Sequence, residues 1–237
     1  LEEWKSGTLG SWPLGERKVF HPEVGNGGRK IGAHLYLGYG PLEFKKGTRL
    51  RMRDSIDHGE IMTLALIFPP KYESELIQAL QLLSWLGTLG GRSRNGWGSI
   101  FVKGHNLLSH SELSADNKLL QSVSRNLSEC INRRLDWAHT LGKDERGLLI
   151  WKTRGYKSWA EAMNALAQIK IEFRTAFSFK KNKDARAPYI DERHVLAYPV
   201  TNHAIMGWSQ VDRRGKLRQT ERLANQIHFK VLQTSWG

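Results

Sequence analysis

Three stretches of the chain repeat apolar residues at α-helical spacing, and the segments between them leave room only for loops and brief strands. In SELIQALQLLSWL, the residues Leu76, Ile77, Leu80 and Leu83 share one face. From Leu119 onward Val123, Leu127, Ile131, Leu135 and Ala138 do the same. SWAEAMNALAQIKIEFRTAFSF places Trp159, Met163, Leu166, Ile169, Phe173 and Phe177 three or four apart. A helix with one apolar face must bury it against another element. The β-prone runs supply that element. AHLYLGY reads as a strand, and GTRLRMRDS alternates Leu50 and Met52 with Arg49, Arg51 and Arg53. EIMTLALIF reads as a largely buried strand, and GSIFVKG, GLLIWK, ERHVLAYPV and ANQIHFKVLQ as further strands. Strands with intervening helices predict an α+β fold. The polar stretch 104–118 reads as a linker between a first module, 1–103, and a second, 119–237.

After the first helix comes GTLGGRSRNGWGSI, with Gly87 as the helix stop. The loop 87–98 gathers Gly90, Gly91, Gly96 and Gly98 around Arg92 and Arg94. Glycine-rich backbone of this kind lets the main chain approach a partner closely, often a phosphate. It is not a P-loop, because no lysine follows the last glycine and the loop leads into a strand rather than a helix. A dinucleotide fingerprint fails for the same reason: no helix macrodipole is aimed at a pyrophosphate. No nucleotide cofactor is therefore expected. Two readings remain. The loop offers amide N–H groups and two arginines to a longer phosphate chain, or it is a tight turn with solvated arginines.

The charge bears on that choice. Lys and Arg number 36 against 23 Asp and Glu, a formal net charge of +13, which favours a polyanionic partner through counterion release. The nine tryptophans are able to stack on unpaired bases, although indoles more often fill cores. Cys130 is the single cysteine, so an internal disulfide and a thiolate metal cluster are excluded, and a reducing, cytoplasmic setting is expected. No apolar run reaches membrane-spanning length, and no HExxH, CxxC or paired His/Cys spacing suggests zinc. The opening LEEWKSG and the closing HFKVLQTSWG read as the ends of a fragment.

LLSWLGTLGGRSRNGWGSIFV resembles the hallmark of the RAMP superfamily of CRISPR-associated proteins, a glycine-rich segment between the second helix and final strand of a ferredoxin-like, RNA-recognition-type fold. Within it the chain is similar to the first-subunit family of the type III-B (Cmr) effector, through YLGYGPLEF, RHVLAYPV and ERLANQIHFKV. The similarity runs from about Leu35 to Val231. It implies two ferredoxin-like modules packed together, in an RNA-binding, non-catalytic subunit that contacts guide RNA, target RNA and other Cmr subunits in antiviral defence. Members ordinarily begin with a further strand–helix segment that this chain lacks. The resemblance thus implies a first module that is incomplete, or completed by another polypeptide.

On that reading Arg92 and Arg94 fork onto phosphate oxygens, Ser93 and Asn95 add hydrogen bonds, and Gly90, Gly91, Gly96 and Gly98 permit close approach. Trp97 reads either as a stacking platform or as an inward-facing core residue. Arg29, Lys30, Arg51 and Arg193 extend the basic track. Arg222 is a further candidate, for RNA or for an ion pair with Glu221. The clusters Lys180, Lys181, Lys183, Arg186 and Arg213, Arg214, Lys216, Arg218 read as solvated surface or as more of the track. The competing reading is a RAMP endoribonuclease that processes guide RNA, with His194 as acid–base residue beside Asp191, Glu192 and Arg193. A histidine at a strand start is more often structural, as His203 and His228 in apolar surroundings also read. No catalytic residue is assigned on the favoured reading.

Overall fold

A computed structural model describes residues 6–7, 16–51, 55–56, 61–104, 106–114, 116–132, 141–179, 190–198, 200, 203–215, 217–221, 223 and 225–233. In chain order these form β1 (Ser6–Gly7), β2 (Lys18–His21), β3 (Arg29–Gly32), α1 (Ala33–Gly38), β4 (Leu42–Phe44), β5 (Thr48–Leu50) and β6 (Ser55–Ile56). Then follow α2 (Glu73–Leu86), α3 (Lys118–Val123), β7 (Ser124–Asn126), α4 (Leu127–Asn132), β8 (Leu141–Asp144) and β9 (Gly147–Leu148). The last are α5 (Trp159–Thr175), α6 (Glu192–Leu196), β10 (Ser209–Val211) and β11 (Leu217–Gln219). The class is α+β. Among the described residues the strands pair as β1–β6, β2–β3, β4–β5, β7–β8–β9 and β10–β11, all antiparallel except β7–β8.

Helix α5 organises the main core. Its N-cap, Ser158, accepts the Glu161 N–H at 3.3 Å, with Glu161 in the first turn and Arg174 in the last, both suited to the helix dipole. It buries Met163, Leu166, Ala167 and Ile171 against Val19, Ala33 and Leu37, with Ile31, Tyr36, Trp97, Phe229 and Val231 around them. The expected stripe is rotated: Trp159, Ile169 and Phe173 stay exposed, because small Ala167 faces the core where α1 packs closely. A second core joins Trp85, Leu113, Leu120 and Leu148. Each cluster draws on residues from both sides of 104–118, so the halves pack together. That stretch itself carries buried His110 and Leu113.

Several expected elements take another form. AHLYLGY holds a helix rather than a strand, because the Glu16 carboxylate supplies the cap that the local sequence lacks. Its Oε1 accepts the Leu35 N–H at 3.0 Å, while Oε2 accepts the Thr48 hydroxyl at 2.8 Å. ERHVLAYPV begins as helix α6, where the Asp191 N–H donates to His194 Nδ1 at 3.0 Å in a capping box. The helix expected from Leu119 breaks after one and a half turns. Ser122 and Ser124 return hydroxyls to the Leu119 and Gln121 carbonyls, both at 2.8 Å, and the chain crosses into β7. Leu135 and Ala138 lie outside the described residues. EIMTLALIF, 60–68, expected as a largely buried strand, is exposed over its described residues, 61–68, and unpaired among the described residues, with Ile61 91% and Ile67 104% accessible. A strand exists only beside another strand, and among the described residues none pairs with this segment. Among the described residues GSIFVKG and ANQIHFKVLQ likewise contribute the bridges Thr88–Ser99 and Asn95–Phe229 and no longer ladder.

Candidate nucleic-acid interface

The glycine loop is closed at its neck and anchored along one side. The Leu89 N–H donates to the Gly98 carbonyl at 2.8 Å, beside the Thr88–Ser99 bridge. A Cβ on Gly98 would stand 1.7 Å from the Leu89 carbonyl oxygen, and its φ is 62°, so only glycine fits there. On the anchored side Phe229 N–H donates to Arg94 O at 3.0 Å and Gly96 N–H to Phe229 O at 3.1 Å.

This arrangement divides the expected contact residues. Gly90, Gly91, Arg92 and Gly98 are exposed, and Ser93 is half-buried. Arg92 holds a left-handed φ of 61° at the solvent edge. Its guanidinium lies over Gly40, where a Cβ would come within 2.8 Å of Nη2. Asn95 and Gly96, both expected at the RNA, are buried. Asn95 Nδ2 donates to Leu37 O at 2.9 Å, its Oδ1 accepts Lys170 Nζ at 2.7 Å, and Gly96 packs on Leu166 and Met163. Arg94 is half-buried, and its Nη1 donates to Asn225 O at 2.7 Å, holding the loop to the last segment. Trp97 takes the inward alternative. It packs on the main core, edge-on to His34 and Trp159 at 6.0 and 5.1 Å.

Elsewhere the basic candidates also separate. Arg29 and Lys30 are exposed on β3, and Arg51 is exposed just after β5. Arg49 forks onto Glu43 at 3.0 and 2.8 Å, and Arg218 reaches Asp212 at 2.8 Å. Arg213 and Arg214 are exposed in the β10–β11 turn. Arg193, expected on the basic track, is 5% exposed, its guanidinium gripping both oxygens of Glu23 and lying 5.0 Å from the Phe179 ring centroid. That hydrogen-bonded guanidinium holds the Glu23 carboxyl below its ordinary range. Arg222, Lys216 and the basic loop of Lys180, Lys181, Lys183 and Arg186 lie outside the described residues.

His194 is 1% exposed, and both ring nitrogens are engaged. Nδ1 accepts the Asp191 N–H, which leaves Nε2 as the donor to His203 O at 3.2 Å. Phe179 stacks flat on His203 at 3.6 Å, whereas His228 is exposed, with Nε2 2.9 Å from the Thr88 hydroxyl. Among the described residues no group of His, Cys, Asp and Glu is placed to hold a metal ion, and no helix is long and apolar enough to cross a membrane.

Beneath the loop lies a group that periodicity alone does not mark. Lys170, on α5, is pushed down to about 7 by burial first, then by Arg174 and Arg92. Its Nζ sits 5.7 Å from the Tyr36 ring centroid, and burial raises the Tyr36 hydroxyl. Arg174, one turn on, is also lowered by burial. The only legible sign was the i, i+4 pairing of two cations on a helix face that otherwise reads apolar.

No protein-family model matches the chain, and no curated protein or solved structure is significantly similar to it.

Proposed function

We propose that this chain is an RNA-binding, non-catalytic subunit of a type III-B CRISPR ribonucleoprotein, with ferredoxin-like modules of RAMP type. It binds guide or target RNA along the outer edge of the glycine loop and assembles with other Cmr subunits in the cytoplasm. The observation that carries this reading is the exposed half of the loop. Gly90, Gly91 and Arg92 face solvent on a frame anchored by Arg94 and Asn95, in a chain of net charge +13. A backbone held open from behind, with a guanidinium at its rim, suits a phosphate chain read without base specificity. Arg29, Lys30 and Arg51 give further exposed cations.

The test is the salt dependence of binding to single-stranded RNA. Arg92→Ala is expected to weaken binding and to lower the log–log slope by roughly 0.7, one phosphate contact on a single strand. An unchanged slope counts against contact by the loop. Incubation with labelled repeat RNA addresses catalysis: bound, intact RNA supports the subunit, and site-specific cleavage supports the endoribonuclease.

A further inference from the structure

We propose that the outward face of the β2–β3 hairpin, where Phe20 stands between Lys18 and Lys30, is a stacking platform for one unpaired base of a single RNA strand. The inference rests on the RNA-binding reading above and adds to it a second contact, made through a base as well as through phosphate.

The register of the hairpin sorts its side chains. Lys18 pairs with Gly32, Phe20 with Lys30 and His21 with Arg29. Alternation turns Val19 into the main core and His21 toward Tyr36, with 5.5 Å between the ring centroids. Lys18, Phe20 and Lys30 therefore share the opposite side, and each is exposed. Phe20 and Lys30 are direct cross-strand neighbours, and Lys18 stands two residues back along β2.

Two features separate this phenyl from an apolar side chain scattered on a surface. First, the ring is held from behind. It leans over the turn, where a Cβ on Gly28 would stand 2.5 Å from Phe20 Cζ and 3.0 Å from Cε2. Phe20 is still 50% exposed, and among the described residues no other aromatic ring covers it. A ring fixed in this way gives up little freedom when a base lies on it. Second, the flanking cations have no acid to pair with. Glu16 and Glu23 are the acidic residues of 16–32. Glu16 is taken by the Leu35 N–H and the Thr48 hydroxyl, and Glu23 by Arg193. Among the described residues neither lysine makes an ion pair or a hydrogen bond. An apolar peptide would use the ring and leave both ammonium groups idle. A nucleotide uses all three side chains: the base takes the ring face, and the phosphates on either side take the lysines.

The experiment compares anisotropy of two fluorescein-labelled strands of equal length, an oligoadenylate and its abasic counterpart. Phe20→Ala should weaken oligoadenylate binding about fivefold or more and leave the abasic strand unaffected. Phe20→Leu keeps the apolar bulk without the ring and should lose as much, whereas Phe20→Trp should bind as well as wild type or better. The log–log salt slope should stay unchanged in Phe20→Ala and fall by roughly 0.7 in Lys18→Ala and in Lys30→Ala. Circular dichroism melts verify that each variant is folded. Full affinity in Phe20→Ala, wild-type affinity in Phe20→Leu, or an equal loss on the abasic strand overturns the platform and leaves this face to a protein partner. Unchanged slopes in both lysine variants overturn it as well. If Arg92→Ala still lowers the salt slope in those cases, the RNA reading survives. Absence of wild-type binding to either strand overturns the RNA reading and the platform together.

Discussion

Single side chains do much of the joining here. Lys230 is the plainest case: its ammonium donates to Leu83 O at 3.2 Å, to Gly87 O at 2.7 Å and to Ser84 O, closing the carbonyl end of α2. Lys230→Met is expected to destabilise the fold by about 1–3 kcal/mol, since it deletes charged hydrogen bonds to carbonyls left half-buried. A urea midpoint shift with unchanged m-value would verify it, and an unmoved midpoint would refute it. The Glu23–Arg193 pair is similar but one-sided, with Arg193 side-chain exposure at 6% and Glu23 at 45%. Glu23→Gln leaves a buried guanidinium with weaker acceptors, and a loss of about 2 kcal/mol is expected. Because the Glu23 carboxyl is held below its ordinary value, the pair's contribution is present above about pH 4.5. It is lost as pH falls through the lowered value, so the Glu23→Gln difference should shrink in acid. Neither residue stands out in sequence, because their partners lie 170 positions away for Glu23 and about 145 for Lys230.

At the scale of elements, the helices with strong local signals formed where their spacing placed them. α5 has its serine cap, acidic first turn and four-residue apolar rhythm within seventeen residues, and α2 has a proline-led start and a glycine stop. The strands were legible only as β-prone runs. Whether 61–69 or 99–103 joins a sheet depends on a neighbouring backbone, which composition does not encode. The glycine loop joins both kinds of information. Its glycines were visible, yet the side facing inward was decided by Asn95 meeting the Leu37 carbonyl and Lys170. Gly98→Ala should open the neck of the loop, because the new methyl meets the Leu89 carbonyl. Faster amide exchange at Leu89 is the expected readout, and unchanged exchange would show that the neck tolerates a side chain. Arg94→Ala should loosen the same loop from Asn225 and lower thermal stability. Arg92→Ala, at the exposed rim, should leave the melt within a degree or two and act on RNA binding.

For the whole molecule, two half-buried lysines set an unusual pH response. Lys170 and Lys230 are held at about 7 and about 8, below the ordinary lysine value of 10.5. Between those values and 10.5 the unfolded chain binds more protons than the folded one, so stability rises with pH and the penalty is complete below about pH 7. A melting temperature that climbs from about pH 6.5 to 9, with a shallower climb in Lys170→Met, is the expected outcome. A flat or falling curve would refute it. Lys170→Met should also melt higher than wild type at neutral pH, because it removes the desolvation penalty that holds the lysine at about 7.

Periodicity, composition and glycine placement determined the α+β class, helices α2 and α5, the position of the loop and the basic character of the surface. Those properties are local: they depend on residues a few positions apart, where spacing and propensity act directly. The capping of α1 by Glu16, the burial of Asn95 and Arg193, the exposure of 61–68 and the meeting of Lys170 with Asn95 were decided by tertiary contact alone. Each joins groups distant in sequence, and its energy exists only once the chain has closed on itself.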